Sequence, residues 1–184
     1  LLIVPWAMPA YVSILLWRMG IFNTEFGLFN QILKQIGGKP VNFLSTNGMA
    51  FISCLVVNLW LGVPYMFTMM DGAMQSIDRN IYDGAGFWKK HFYVTIPQIL
   101  PILMPVIIMA TFTAFKQFDI VYLMTMQTGS KTGADINTVI TYVYEKAFIT
   151  SNYGYSSAVA FIVFLIILVL YKTMNRREFS ISEQ

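Results

Sequence analysis

Long apolar runs separated by polar intervals dominate the chain. Four of them, residues 1–17, 49–70, 98–115 and 155–171, contain no charged side chain. Each is about as long as the 17–25 apolar residues that a helix needs to cross a bilayer. The pattern predicts an all-α integral membrane protein, residues 1–184 forming a single transmembrane domain of four spans. The polar interval 71–97 divides the second span from the third, and longer intervals at 20–47 and 117–157 separate the others. The first of these longer intervals predicts a short amphipathic helix around 28–36, in a segment suited to a lid or docking surface. The second predicts partly helical structure near 137–148.

Proline interrupts the apolar runs. Pro5 and Pro9 fall in the first span, Gly62 and Pro64 in the second, and Pro101 and Pro105 early in the third. Each proline removes a backbone donor, and lipid cannot satisfy the freed carbonyl, so neighbouring helices or a polar cavity must do so. Bent spans of this kind suit a transporter.

Composition agrees with the pattern. Hydrophobic residues make up 57% of the 184 and charged residues 11%, against about 25% charged in an ordinary soluble domain. Cys54, the only cysteine, lies mid-span and excludes an internal disulfide; it reads as a packing residue. The net charge of +3 is spread along the chain without a stripe or cluster, which argues against nucleic acid as a partner. Arg79, Lys89, Lys90, Lys172, Arg176 and Arg177 fall on one side of the spans, and Arg18, Lys34, Lys39, Lys116, Lys131 and Lys146 on the other. The first six are packed into the shorter segments near span ends, which places 71–97 and the C-terminal tail in the cytoplasm. Residues 1–17 have neither the charged start nor the cleavage site of a signal peptide. With no initiator methionine, the chain is expected to begin within a longer polypeptide.

Polar side chains within the spans are the candidate chemistry. Asn58 lies mid-span, and an amide there must face protein or a water-filled cavity. Asn58, Leu61, Gly62 and Tyr65 recur at i, i+3, i+4 and i+7, one face of a helix. That face could contact a hydroxylated solute by hydrogen bonding and ring stacking, or it could pack against another helix; the residues alone leave both open. In the third span Ala110, Thr113, Ala114 and Gln117 share the same spacing, and in the first Trp6 and Ala10 are i, i+4 beside the proline bends. No formal charge lies on these faces, so a neutral polar ligand such as a sugar fits better than an ion or proton.

Enzyme signatures are absent. His91 is the only histidine, which excludes multi-histidine metal clusters and any triad that uses another histidine. Gly129-Ser130-Lys131-Thr132 fails as a phosphate-binding loop because serine precedes the lysine. If this protein works with ATP, another subunit binds it.

The polar interval 71–97 is the most specific stretch. It closes with Asp83-Gly84-Ala85, and nine residues separate Gly84 from Val94-Thr95-Ile96-Pro97, which runs directly into the third span. This resembles the cytoplasmic signature loop of binding-protein-dependent ABC importer permeases. Further matching segments are Pro5-Trp6-Ala7-Met8-Pro9, Trp17 to Asn23, Val57 through Tyr65, Gly72 to Ile77, Gln117 to Tyr122 and Thr141-Tyr142-Val143-Tyr144. Taken in order, the chain resembles the larger, MalF-like permease subunit of maltose/maltodextrin-type sugar ABC importers.

That resemblance implies the bent transmembrane helices of the type I ABC importer permease fold, without the family's N-terminal helices. It implies a multi-pass protein of the bacterial plasma (inner) membrane that works with a second permease subunit, an ABC ATPase dimer and an extracytoplasmic sugar-binding protein, surrounded by membrane lipid. No cofactor is expected on this chain, ATP and Mg being used by the partner ATPase. Trp6, Ala10, Asn58, Leu61, Gly62, Tyr65, Thr113 and Gln117 would line the sugar path, which favours the solute-facing reading of Asn58. Asp83, Gly84, Ala85, Val94, Ile96 and Pro97 would belong to the ATPase-coupling loop.

One departure stands inside the loop. The family pattern runs Tyr, a Glu-Ala-Ala segment, then Asp-Gly-Ala, whereas Tyr82 is followed directly by Asp83. About five residues of a coupling helix are missing. The leading expectation is a permease for maltose- or maltodextrin-like sugars acting by alternating access. The alternatives are a permease for another small polar solute, such as a polyol or glycerol phosphate, and a coupling-defective membrane paralogue. Restoring Glu-Ala-Ala and two further residues after Tyr82 separates the last of these, because rescued transport would mark a damaged importer.

Overall fold

The computed structural model describes residues 7–76, 88, 90–126 and 136–182. All regular structure among them is helical. Helix α1 (Ala10–Leu16) runs into a π-helical turn (Trp17–Ile21), and α2 covers Leu28–Gln35, within the stretch predicted to be amphipathic. Helix α3 (Asn47–Gln75) is followed, beyond the signature loop, by a π-helical turn (Lys90–Thr95) that leads into α4 (Ile96–Phe115). Short α5 (Asp119–Val121) and α6 (Val139–Tyr144) each continue as a π-helical turn, Tyr122–Met126 and Glu145–Ile149, before the final helix α7 (Tyr153–Ser182).

Three of these helices, α3, α4 and the Tyr153–Thr173 part of α7, are long and apolar enough to cross a membrane by length and composition. Ala10–Ile21 is apolar but shorter, and residues 1–6 of the first predicted span lie outside the described residues. Pro9 does not bend a helix. It stands at the N-cap of α1 with extended backbone, φ −54° and ψ 136°, because a residue without an N–H suits the start of a helix better than its interior. The interruption expected at Gly62 and Pro64 is also not seen: α3 runs through Pro64 as one helix, losing only the ladder bond to the carbonyl four residues earlier. Pro97 sits in the first turn of α4, where its missing donor costs no helical bond.

The chain divides into two compact units, Leu1–Pro64 with Gln117–Ser157, and Tyr65–Lys116 with Ala158–Gln184. In the first, α3 contributes an inward stripe of Ala50, Cys54 and Val57, spaced at helical intervals, to a core with Ile14, Phe22, Leu44, Ile120, Val121 and Met124. Cys54 is thus the packing residue that the sequence suggests. Trp17, Phe22, Phe29 and Phe43 pack beside it as a set of tilted and edge-on rings 5.4–6.4 Å apart.

Buried polar groups close this unit. Fully buried Asn30 donates from Nδ2 to the carbonyls of Asn23 and Val41, 2.9 Å each, and accepts the Val41 N–H at 2.7 Å on Oδ1. One side chain thereby pins the strand-free segment after α2 back onto the turn before it, and leaves no costly buried amide unpaired. Thr138 opens α6 with a reciprocal capping box to Thr141.

In the second unit Ala73 packs on Ile99 and Leu103, and the Phe112 and Tyr171 rings meet at 5.9 Å. Helix α7 leaves Phe161, Ile162 and Val169 more than half exposed. Apolar surface of that extent is suited to lipid or a neighbouring subunit, not to water.

Candidate functional site

The inward stripe of α3 determines what its other face presents. With Val57 fully buried, Asn58 is turned outward and exposed, while Gly62 and Tyr65 are half-buried. No hydrogen bond among the described residues engages the Asn58 side chain. Leu61 differs from the rest of the predicted face: it leans against the core of the first unit. A Cβ built on Gly62 meets nothing within 4 Å. Close packing among the described residues therefore does not explain the glycine. In a helix otherwise apolar enough for a membrane, the exposed Asn58 amide and the side-chain gap at Gly62 leave room for a polar partner.

The predicted face of the third span stops short. Helix α4 closes at Phe115 with Lys116 as its cap, so Gln117 lies past the last turn and the i, i+3, i+4, i+7 register does not carry it beside Thr113. Thr113 is exposed, and its hydroxyl donates to the Met109 carbonyl at 2.9 Å, leaving the oxygen lone pairs as acceptors. Gln117 instead belongs to the first unit, where its carbonyl accepts from Thr138 Oγ1 at 3.1 Å. That bond joins two segments singled out in the sequence. Beside it, Phe118 stacks on Tyr122 at 4.9 Å, and both rings meet Tyr144, at 5.0 and 5.1 Å.

Ala10 is exposed in the first turn of α1, and Trp6 lies outside the described residues. So do Asp83, Gly84 and Ala85 of the coupling loop. Val94 falls in the π-helical turn before α4, while Ile96 and Pro97 are exposed at the start of α4. Next to them the structure presents an aromatic patch that the sequence motifs do not include. Trp88, Phe92 and Tyr93 are 72%, 58% and 81% exposed, and the Trp88 and Phe92 rings stack at 6.1 Å. The signal is in the sequence: Trp88 and Phe92-Tyr93 flank the run Lys89-Lys90-His91.

Among the described residues no group of three or more His, Cys, Asp or Glu side chains could hold a metal ion. The available chemistry is hydrogen bonding and ring contact.

The model of the family described as binding-protein-dependent transport system inner membrane component matches residues 1–176. The trehalose/maltose transport system permease protein MalF of Thermococcus litoralis is 31% identical over 173 residues, 91% of this chain and 57% of that protein. The galactooligosaccharides transport system permease protein GanP of Bacillus subtilis is 30% identical, covering 97% of this chain and 45% of its own length. The maltose/maltodextrin transport system permease protein MalF of Vibrio cholerae is 32% identical, covering 100% and 37%. The chain thus spans roughly a third to three-fifths of the length of these relatives. In solved structures, the fold is similar to a bacterial alginate ABC transporter in complex with alginate pentasaccharide-bound periplasmic protein, with a TM-score of 0.77 over 94% of this chain and 61% of that one, at 19% identity. The helical membrane architecture and the match over residues 1–176 together place this chain in the family of binding-protein-dependent transport system inner membrane components.

Proposed function

We propose that this chain is a membrane-spanning permease subunit of an ATP-driven sugar importer, and that its cargo is a maltose- or maltodextrin-like oligosaccharide. The observation that carries the reading is the outward amide of Asn58 beside the open position at Gly62 on α3. An amide can donate to and accept from sugar hydroxyls, and the missing side chain leaves room for a ring. The names of relatives from Thermococcus and Vibrio support an α-glucan cargo. The Bacillus relative supports a second reading, a galacto-oligosaccharide.

Translocation in this reading is by alternating access in the bacterial inner membrane. A second permease subunit completes the path, an extracytoplasmic binding protein delivers the sugar, and an ABC ATPase dimer drives the cycle by hydrolysing ATP with Mg. Trp88, Phe92, Tyr93, Ile96 and Pro97 form an exposed apolar surface next to the signature loop, suited to burial against the ATPase. The test is affinity purification of the tagged chain in mild detergent, with mass spectrometry of what remains bound. Recovery of an ABC ATPase together with a second permease is expected; recovery of the chain without either would sink the proposal.

A further inference from the structure

The corner that joins α6 to α7, within the first unit, is built around one carbonyl. The Lys146 oxygen accepts from Thr150 Oγ1 at 2.8 Å and from the Asn152 N–H at 2.9 Å. Between them Ser151 holds φ 54°, in the left-handed region that non-glycine residues seldom occupy. Asn152 then starts α7: its Oδ1 accepts the Tyr155 N–H at 3.3 Å, and its carbonyl accepts from Ser156 N and Oγ at 3.1 and 2.9 Å. A strained turn so heavily bonded is held in one shape.

That turn borders an open surface pocket of about 370 Å³ lined by Tyr142, Lys146, Thr150, Asn152 and Tyr155. The Tyr142 and Tyr155 rings meet edge-on at 6.4 Å, and the Lys146 ammonium sits 5.5 Å from the Tyr142 ring centre. The lining is rich in donors. Asn152 has its side-chain oxygen engaged and keeps two N–H groups, Lys146 offers three more, and none of the five described lining residues is a carboxylate. A cation surrounded by further donors suits an anion with several acceptor oxygens.

Position decides which anion. Tyr155 is in the first turn of the apolar Tyr153–Thr173 helix, so the pocket stands where a span meets the headgroup layer, the depth at which tyrosine and lysine are favoured. Phe148, Ile149 and Tyr153, in the same corner, are 67%, 65% and 59% exposed. A soluble anion would gain nothing from those side chains, whereas the glycerol and upper acyl carbons of a lipid would cover them.

We propose that this corner binds the phosphodiester headgroup of a membrane lipid, with the phosphate on Lys146 and Asn152 and the lipid backbone over Phe148 and Ile149. The inference rests on α7 crossing the membrane and is independent of the cargo. It is tested by native mass spectrometry of the full chain, purified with its bound partners and delipidated, then titrated with phosphatidylglycerol, with a diacylglycerol of the same chains, and with inorganic phosphate as competitor.

Phosphatidylglycerol is expected to remain bound and diacylglycerol not, with millimolar-range phosphate failing to displace the lipid. Lys146→Gln should lower retention by about tenfold, the loss of one charge-assisted contact, and Lys146→Arg should keep it. Lys146→Met preserves the alkyl stem over the Tyr142 ring and replaces Lys146→Gln if that variant does not fold. Equal retention by the neutral variants, equal binding of diacylglycerol, or displacement by inorganic phosphate would each overturn the proposal, the last by showing a site for a soluble anion.

Discussion

Arg18 Nη1 donates to the Leu123 carbonyl oxygen at 2.7 Å, joining the π-helical turn after α1 to the one after α5 across 105 positions of sequence. A π-helical turn leaves carbonyls poorly matched to its own donors, and a guanidinium with five N–H groups is well suited to collect one. A hydrogen bond from a charged donor contributes about 1.5–3 kcal/mol. Arg18→Met is therefore expected to lower the thermal unfolding midpoint in detergent, with Arg18→Lys intermediate. An unchanged midpoint for Arg18→Met would mean that the tie contributes nothing to the first unit.

Two glycines are expected to respond oppositely to the same substitution. At Gly27 a new Cβ would lie 2.3 Å from the Asn23 carbonyl oxygen, with no flexible side chain to give way. Gly27→Ala should destabilise by about 1–3 kcal/mol, the usual cost of overpacking. At Gly62 a Cβ meets nothing, so Gly62→Ala should fold at least as well as the parent, given the helix preference for alanine. If Gly62 faces the solute, transport nonetheless falls. Paired melting and uptake assays check this, and a Gly62→Ala protein that transports normally would remove Gly62 from the path.

The architecture was legible where the signal is long. Three uncharged runs of roughly 20 residues are hard to satisfy except as apolar helices, and they recur as α3, α4 and the Tyr153–Thr173 part of α7 with ends shifted by a few residues. What the sequence did not convey was where helices stop and how loops fold back. Gln117 matches the α4 register on paper, yet the helix closes two residues before it and Thr138 takes up its carbonyl. Proline was overread in a similar way, since α3 absorbs Pro64 and α1 simply begins after Pro9. The role of Asn30 was not legible because its bonds run to backbone groups of Asn23 and Val41, which carry no sequence signature. The residues alone left the direction of Asn58 open, and the inward stripe at Ala50, Cys54 and Val57 is what turns it outward in the structure.

Alkaline pH should loosen the aromatic group formed by Phe118, Tyr122 and Tyr144. Hydrogen bonding to the Tyr144 side chain, with burial second, holds the Tyr122 phenol above its ordinary value of 10.0. A pKa raised in the folded state gives stability that is complete below the unfolded value and is lost as pH climbs through the folded one. Melting midpoints should therefore be insensitive to this group below pH 10 and should fall above it, less so in Tyr122→Phe. The near-ultraviolet tyrosinate titration provides a direct check; a Tyr122→Phe protein with an identical alkaline profile would dismiss the contribution.

In the proposed function, Asn58 on α3 faces the transported sugar. Uptake of labelled maltotriose by cells lacking the native gene, complemented with the parent or with Asn58→Leu, tests it most directly. Leucine has similar bulk and suits a membrane helix, so the variant should reach the membrane at normal levels. The parent should restore uptake and Asn58→Leu should reduce it by about tenfold, the loss of roughly one good hydrogen bond. Undiminished uptake by an Asn58→Leu protein present at parental levels would contradict it.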